Sequence, residues 1–227
     1  MFAPGLLSGT AASNSGRLSA GAKSPLTGGI KESNVGGTAA QMFARLGIKA
    51  LILEGVPKGD HWYGLRIDKD GATLQEEQEL VGLGNFAVIQ ALEARYGKKT
   101  GVLSIGPAGE FRMASANISV KDPSSKVRSH GRGGLGAVMG SKRIKFISID
   151  DAGAQGIQIS DPEAFKRASH TFTKALLDHP VSGQGLPTYG TDILVNILNE
   201  AGGLPTRNFT YRQFDGPESI SAEPTHG

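Results

Sequence analysis

Apolar positions divide the chain into two textures, with strands and helices mixed up to about residue 150 and helical spacing alone beyond it. Arg17-Leu18-Ser19-Ala20-Gly21-Ala22 reads as a strand. In residues 38–46, Ala40, Phe43, Ala44 and Leu46 share a helical face, and Gly47 is the stop. Residues 48–53 form an apolar run interrupted only by Lys49, which predicts a buried strand ending at Glu54-Gly55. Residues 62–67 alternate, Asp70-Gly71 signals a turn and Ala72-Thr73-Leu74 resumes, so a hairpin is expected. Asn85–Tyr96 predicts an amphipathic helix with Phe86, Ile89, Leu92 and Tyr96 on one side and Gly97 as its stop. Residues 102–105 and the β-branched run Ile144–Ile149 predict buried strands.

After Asp151, Asp161 as N-cap and Pro162 at the first helical position open a helix to about Asp178. Thr191-Asp192 opens another, with Ile193, Leu194, Ile197 and Leu198 apolar and Gly202-Gly203 as stop. Mixed strands and helices followed by helices alone predict an α+β fold, divided into residues 1–151 and 152–227. Asp122 to His130 is polar and carries Pro123. One internal echo bears on organisation. Gly36-Gly37-Thr38-Ala39-Ala40-Gln41-Met42 leads into Ile48-Lys49-Ala50-Leu51, and Gly133-Gly134-Leu135-Gly136-Ala137-Val138-Met139 leads into Ile144-Lys145-Phe146-Ile147. A glycine pair, a small-residue helix and an Ile-Lys strand recur, which predicts two similar half-domains.

Composition narrows the function classes. Glycine supplies 33 of 227 residues, about twice the usual share, without the G-X-Y period of collagen. The excess therefore points to tight turns and close backbone approaches. With 24 basic against 21 acidic residues the net charge is only +3, which argues against a nucleic-acid partner. The chain has no cysteine, so it forms no disulfide and supplies no thiolate to zinc or an iron–sulfur cluster. Met1-Phe2-Ala3-Pro4-Gly5 lacks the basic start of a signal peptide, and no apolar run approaches the ~18 residues of a membrane helix. A soluble, cytoplasmic protein with no membrane partner is expected.

Candidate chemistry centres on the glycine pairs. Bare backbone at a helix start lets a bulky anion reach unsatisfied N–H groups. The helix end contributes about 0.3–1 kcal/mol, and a charge-assisted hydrogen bond about 1.5–3 kcal/mol, so arginine weighs more than the dipole. Arg128 and Arg132 flank the second pair, and Arg17 precedes the first. Two such corners suit a ligand with two phosphates; the competing reading is tight helix–sheet packing with solvated arginines. Gly131-x-Gly133-x-x-Gly136, with Asp150 after the next strand, also matches a dinucleotide fingerprint, although a polar segment with Pro123 stands where that motif requires a buried strand. No Walker A motif or nucleophile elbow occurs, and the five histidines lack metal-ligand spacing. His130, between Arg128 and the glycines, is positioned to donate to a phosphate.

Arg132-Gly133-Gly134-Leu135-Gly136-Ala137-Val138-Met139-Gly140-Ser141-Lys142 closely resembles the signature of the aldehyde:ferredoxin oxidoreductase family, the tungsten or molybdenum bis-pterin enzymes. Phe2-Ala3-Pro4-Gly5, Ser15-Gly16-Arg17, Lys23-Ser24-Pro25-Leu26-Thr27-Gly28, Asn34-Val35-Gly36-Gly37, Leu53-Glu54-Gly55, Ile105-Gly106-Pro107-Ala108-Gly109-Glu110 and Asn117-Ile118 resemble its first domain in the same order. Asn199-Glu200-Ala201-Gly202-Gly203-Leu204-Pro205-Thr206-Arg207-Asn208-Phe209 is similar to the opening of its second.

The resemblance implies a duplicated α+β base on which two pterins lie, followed by the first helices of a helical domain. It implies phosphate and magnesium contacts at Asn34, Gly36 and Gly37, and at Arg128, Ser129, His130, Gly131, Arg132, Gly133 and Gly134. Asn34 and Ser129 stand at the magnesium that bridges the pterin phosphates, and Arg17 at the arginine between pterin and a 4Fe–4S cluster. The implied activity is oxidation of an aldehyde to a carboxylic acid, with electrons passed through the cluster to ferredoxin or another electron-transfer protein; a homo-oligomer is compatible with it. The chain starts inside the family pattern at Met1-Phe2-Ala3 and stops short of the family's Cys-x-x-Cys-x-x-x-Cys ligands. It is thus expected to be a truncated or split-gene product, inactive alone, relying on missing cluster-bearing domains or a partner subunit. Ser129-His130-Gly131 departs from the family's commoner Ala-Ala-Gly form.

Overall fold

The computed structural model describes residues 1–226; of the expected second domain, Gly227 lies outside the described residues. The chain separates into two compact units, Met1–Ile159 and Ser160–Gly227.

The first unit contains two sheets. Strands β1 (Phe2–Pro4), β2 (Arg17–Lys23) and β3 (Ile30–Gly36) form an antiparallel sheet in that order, which the chain leaves through helix α1 (Ala39–Arg45). A larger sheet contains β4 (Tyr63–Asp68), β5 (Gly71–Glu76), β6 (Gly101–Ser104), β7 (Ile118–Lys121), β8 (Val127–His130) and β9 (Ile144–Ile149). Its order is β5-β4-β9-β6-β7-β8, and only β4 and β9 run parallel. Helix α2 (Asn85–Tyr96) precedes β6, the short α3 (Pro107–Glu110) follows it, and α4 (Leu135–Ser141) joins β8 to β9.

Alternation along the strands gives the large sheet two buried faces. One meets the small sheet: Leu65, Ile67, Leu103, Val120 and Ile147 pack with Leu18, Ala20 and Val35, together with Phe43 of α1 and Leu135 and Met139 of α4. The other face is covered by α2, whose Val88, Ile89 and Leu92 pack on Val102 and Phe146. Gly64 makes room for that phenylalanine, since a Cβ there would sit 2.2 Å from the Phe146 ring. Between α3 and β9, Lys145 is fully buried and bonds Leu83 O and Ile105 O at 2.8 Å each, as well as Glu110 Oε1.

Three expectations are corrected. Residues 48–53 form no strand; Leu51 makes a lone bridge to Phe2, and Ile52 is 60% exposed. An apolar run needs a ladder partner to become a strand, and Phe2 provides a single residue. The buried face of α2 is carried by Val88, Ile89 and Leu92, while Phe86 is exposed. Residues 127–130, in the polar segment where no buried strand was expected, form edge strand β8, whose polar residues are tolerated because one edge faces away from the sheet.

Each glycine pair of the echo follows a strand and precedes a helix, but the Ile-Lys strand expected to complete each half forms only after the second, as β9. The dinucleotide reading fails on topology. β8 is antiparallel to β7, β7 to β6, and β6 to β9, so β8 and β9 run in opposite directions with two strands between them. The fingerprint instead requires parallel strands joined by its helix.

The second unit opens with α5 (Pro162–Asp178), capped by Asp161, whose carboxylate accepts from Ala164 N–H at 2.9 Å. The helix expected from Thr191 begins as a 3₁₀ turn over Gly190–Leu194 and becomes α-helical only in α7 (Val195–Glu200), after the four-residue α6 (Leu186–Tyr189). A 3₁₀ turn, Pro217–Ser219, and α8 (Ala222–His226) end the unit. Among the described residues, no helix is long and apolar enough to cross a membrane.

Candidate functional site

β3 and β8 are edge strands of different sheets that lie against each other, and the loops that leave them reach opposite ends of β7, Gly37 at the Lys121 end and residues 131–134 at the Ile118 end. At the first, Gly37 (φ +150°) lies so close to β7 that a Cβ would fall 2.8 Å from Val120 Cγ1 and 3.0 Å from Lys121 O. Thr38 N–H then donates to Lys121 O at 3.2 Å. At the second, His130 Nδ1 donates to Ser33 O at 2.7 Å and Arg132 N–H to Ser33 Oγ at 3.3 Å. A cleft of about 490 Å³ opens there, lined by Lys31, Glu32, Ser33 and Asn34 from β3 and by Ser129, Gly131 and Arg132.

Strand alternation decides which main-chain groups face this cleft. Gly21 N–H donates to Met1 O at 2.9 Å and Gly5 N–H to Arg17 O at 3.0 Å, so alternate residues of β2, including Ser19, turn their N–H and C=O toward β1. Asn34 stands opposite Ser19, and its own N–H and C=O are therefore on the open edge of β3. The same logic holds for β8. Asp122 N–H donates to Lys126 O at 2.9 Å, so Arg128 and His130 face β7 while Ser129 turns outward. The Asn34 and Ser129 carbonyls thus sit on two open edges that line one cleft.

Arg17 and Asn34 are bonded side by side on the exposed face of the small sheet. Arg17 Nε donates to Asn34 Oδ1 at 2.6 Å, and Asn34 Nδ2 donates to Ser19 Oγ at 3.0 Å. Arg17 Nη1 lies beside Gly36, 3.4 Å from where a Cβ would be. The Asn34 amide is thus committed at both ends, which leaves its main-chain oxygen for any cation. Arg128 is exposed and paired with Asp122 at 3.1 Å. Burial alone would raise the Asp122 pKa, but N–H groups of Lys126 and Ser124 and the Arg128 guanidinium hold it below the usual carboxylate range. Lys31 and Arg132 supply cations to the cleft, and Glu32 supplies a carboxylate. That mixture suits a phosphate accompanied by a metal ion better than a bare anion. Among the described residues no cluster of three His, Cys, Asp or Glu side chains could hold a metal.

His130 does not have the role expected of it. It is fully buried, with its ring 6.2 Å from that of Phe2. Burial depresses its pKa despite the Ser33 bond and nearby Glu32, with Arg17 adding to the depression. Because a carbonyl only accepts, Nδ1 carries the proton and Nε2, buried without a partner, holds a lone pair. The neutral ring has no N–H left to donate to a phosphate.

The glycines of the second corner separate by use. A Cβ would meet Ala114 O at 1.9 Å from Gly134, Asn117 O at 2.2 Å from Gly136 and Gly109 O at 1.9 Å from Gly140, so these three let α4 lie against backbone. Gly133 (φ +80°) abuts the Lys31 stem. Gly131 alone has nothing within 4 Å and faces open space. Sequence reasoning did not single out Ser33, Lys31 or Glu32. Reading residues 17–36 as one hairpin about Pro25-Leu26-Thr27-Gly28 would have placed Asn34 opposite Ser19 and shown which edge remained open.

Residues 1–151 match the family model described as the N-terminal domain of aldehyde ferredoxin oxidoreductase, and residues 167–226 match that for its domains 2 and 3. The tungsten-containing aldehyde ferredoxin oxidoreductase of Pyrococcus abyssi is 38% identical over 224 residues, covering 98% of this chain and 36% of its own length. That of Thermococcus kodakarensis is 36% identical over 228 residues, with the same two coverages of 98% and 36%. The chain therefore spans about a third of the length of these curated relatives. Among solved structures, the active site complex BamBC of benzoyl coenzyme A reductase in complex with 1,5-dienoyl-CoA matches 96% of this chain and 34% of its own. The TM-score is 0.75 and the identity 23%, a likeness of fold.

Proposed function

This chain belongs to the aldehyde ferredoxin oxidoreductase family, and on that premise we propose that it is the cofactor-holding part of a tungsten enzyme that oxidises an aldehyde to a carboxylic acid. The observation that carries the reading is the pairing of two open strand edges, at Asn34 and Ser129, across one cleft with Lys31 and Arg132. Their main-chain oxygens would hold a magnesium ion shared by the two pterin phosphates, and Gly131, with no side chain and open space before it, leaves room for those phosphates. Arg17, Gly36 and Gly37 would face the pterin from the small sheet, and Arg128 stands at the outer end of β8. The tungsten bis-pterin, when bound, supplies the two-electron oxidation.

Electrons would leave through a 4Fe–4S cluster to ferredoxin in the cytoplasm. Because this chain has no cysteine, the cluster's ligands must come from other polypeptide, either further domains or a companion subunit. Catalysis by the chain alone is therefore not expected. The test is to purify the chain from a host that makes the cofactor, release and oxidise bound pterin to its fluorescent form, and measure tungsten by mass spectrometry. Pterin and tungsten should co-purify with the chain and be lost in Gly131→Leu, which fills the cleft. A pterin-free chain, or steady aldehyde-dependent viologen reduction by the chain alone, would overturn the proposal.

A further inference from the structure

We propose that His130 is a positioning residue that sets the separation of the two cleft edges, so that the Asn34 and Ser129 carbonyls can reach one cation together. The inference rests on the cradle described above and adds a named device to it. The two strands belong to different sheets, so no ladder fixes their spacing. What joins them beside the cleft is the His130 Nδ1–H bond to Ser33 O at 2.7 Å, seconded by Arg132 N–H to Ser33 Oγ at 3.3 Å. His130 immediately follows Ser129, and Ser33 immediately precedes Asn34. The strut therefore binds the residues adjoining the two open carbonyls.

The imidazole is also built in rigidly. It has no solvent exposure, it packs against Phe2, and it tolerates a buried Nε2 with no partner. An orphaned buried nitrogen is unfavourable. A residue chosen for packing alone would omit it, and a residue chosen for the Nδ1–H bond accepts it. The polar ring also stands where the commoner family form noted above has alanine.

The test uses the whole chain, with Mn²⁺ plus inorganic pyrophosphate as the probe and backbone amide NMR as the readout. In the unaltered protein, Mn²⁺ should broaden amides at 33–35 and 129–131 together, over one range of concentration. His130→Asn places an amide N–H where Nδ1 lies and should preserve this joint broadening. His130→Gln and His130→Leu place no donor there. They should weaken binding about tenfold, the scale of one net hydrogen bond, and uncouple the two edges so that one broadens before the other.

If His130→Leu fails to fold, the Asn and Gln variants, equally polar, carry the comparison. Joint broadening at unchanged affinity in the Gln or Leu variant overturns the positioning role and leaves the cradle standing. Absence of broadening at both edges in the unaltered protein overturns the cradle itself. The tautomer is read independently from the His130 ring nitrogen shifts, and a proton on Nε2 in place of Nδ1 would also overturn the strut.

Discussion

Replacing Lys145 with methionine isolates the energetics of the joint between α3 and β9. Lys145 Nζ is fully buried and satisfied by Leu83 O, Ile105 O and Glu110 Oε1, and Glu110, itself 7% exposed, accepts from Gly82 N–H at 3.0 Å. Burial lowers the pKa of the ammonium, and the Glu110 carboxylate opposes that shift. Methionine fills the stem's volume but leaves Glu110 without its cation and two carbonyls without a donor. Removing one partner of a buried pair costs about 3–5 kcal/mol, a large part of a typical total of roughly 5–15 kcal/mol. With a urea m-value of about 2 kcal/mol/M, the midpoint should fall by about 1.5–2.5 M.

Trp62, the sole tryptophan, is 6% exposed and lies in the first unit, so its fluorescence reports that unit's unfolding. Lys145→Met combined with Glu110→Gln removes the stranded charge while keeping an acceptor for Gly82. It should recover about 2 kcal/mol relative to the single variant, because coupling between contacting groups is non-additive. A single-variant loss below about 1 kcal/mol, or a double variant whose loss is the sum of the singles, would refute the reasoning.

Further expectations concern glycine, pH and the cap. Gly136→Ala and Gly140→Ala drive a methyl into backbone carbonyls 2.2 and 1.9 Å away and should each cost about 1–3 kcal/mol or more. Gly131→Leu, facing open space, should change stability by less than about 0.5 kcal/mol while blocking the cleft; urea titration separates the two groups. Acid should destabilise the first unit in two stages. The His130 pKa is lowered on folding, so below about pH 6.5 the unfolded chain binds a proton that the native protein refuses, and stability falls with pH.

The second stage comes from Glu93, held low by Lys121 and Ser125 against burial, and from Asp122. Their stabilisation is present above the ordinary carboxylate range and is lost as pH drops through their depressed native values. Urea midpoints measured from pH 7 to 3 check both stages, and His130→Asn should remove the first. Asp161→Ala should cost α5 about 0.5–2 kcal/mol, read as loss of helical circular dichroism at lower temperature.

What the sequence made legible depended on how local the cause was. The hairpin of β4 and β5, the β-branched strand β9 and the start of α5 at Asp161-Pro162 each follow from turn, branching or capping chemistry within a few residues. The strand expected at 48–53 depended on a partner, and a single bridge to Phe2 could not extend it. β8 escaped notice because an edge strand needs no apolar alternation.

The two glycine corners were readable from the echo and the arginines, but only the second lines the cleft, and the residues that face it were not readable. Which carbonyl points outward is a property of sheet register, and Ser33 and Ser129 acquire their positions from pairing across the chain. His130 was expected to donate to a phosphate and donates instead to a main-chain carbonyl. Its acceptor, Ser33 O, is 97 residues away, and only its burial excludes a phosphate partner.

The most direct measurement is a crystal structure of the chain grown with Mn²⁺ and pyrophosphate, with data collected at the manganese edge. One anomalous peak within coordination distance of both main-chain oxygens, Asn34 and Ser129, with phosphate toward Gly131 and Arg132, is the predicted result. A peak bound to one edge alone, or a diphosphate settled elsewhere on the molecule, would contradict the account.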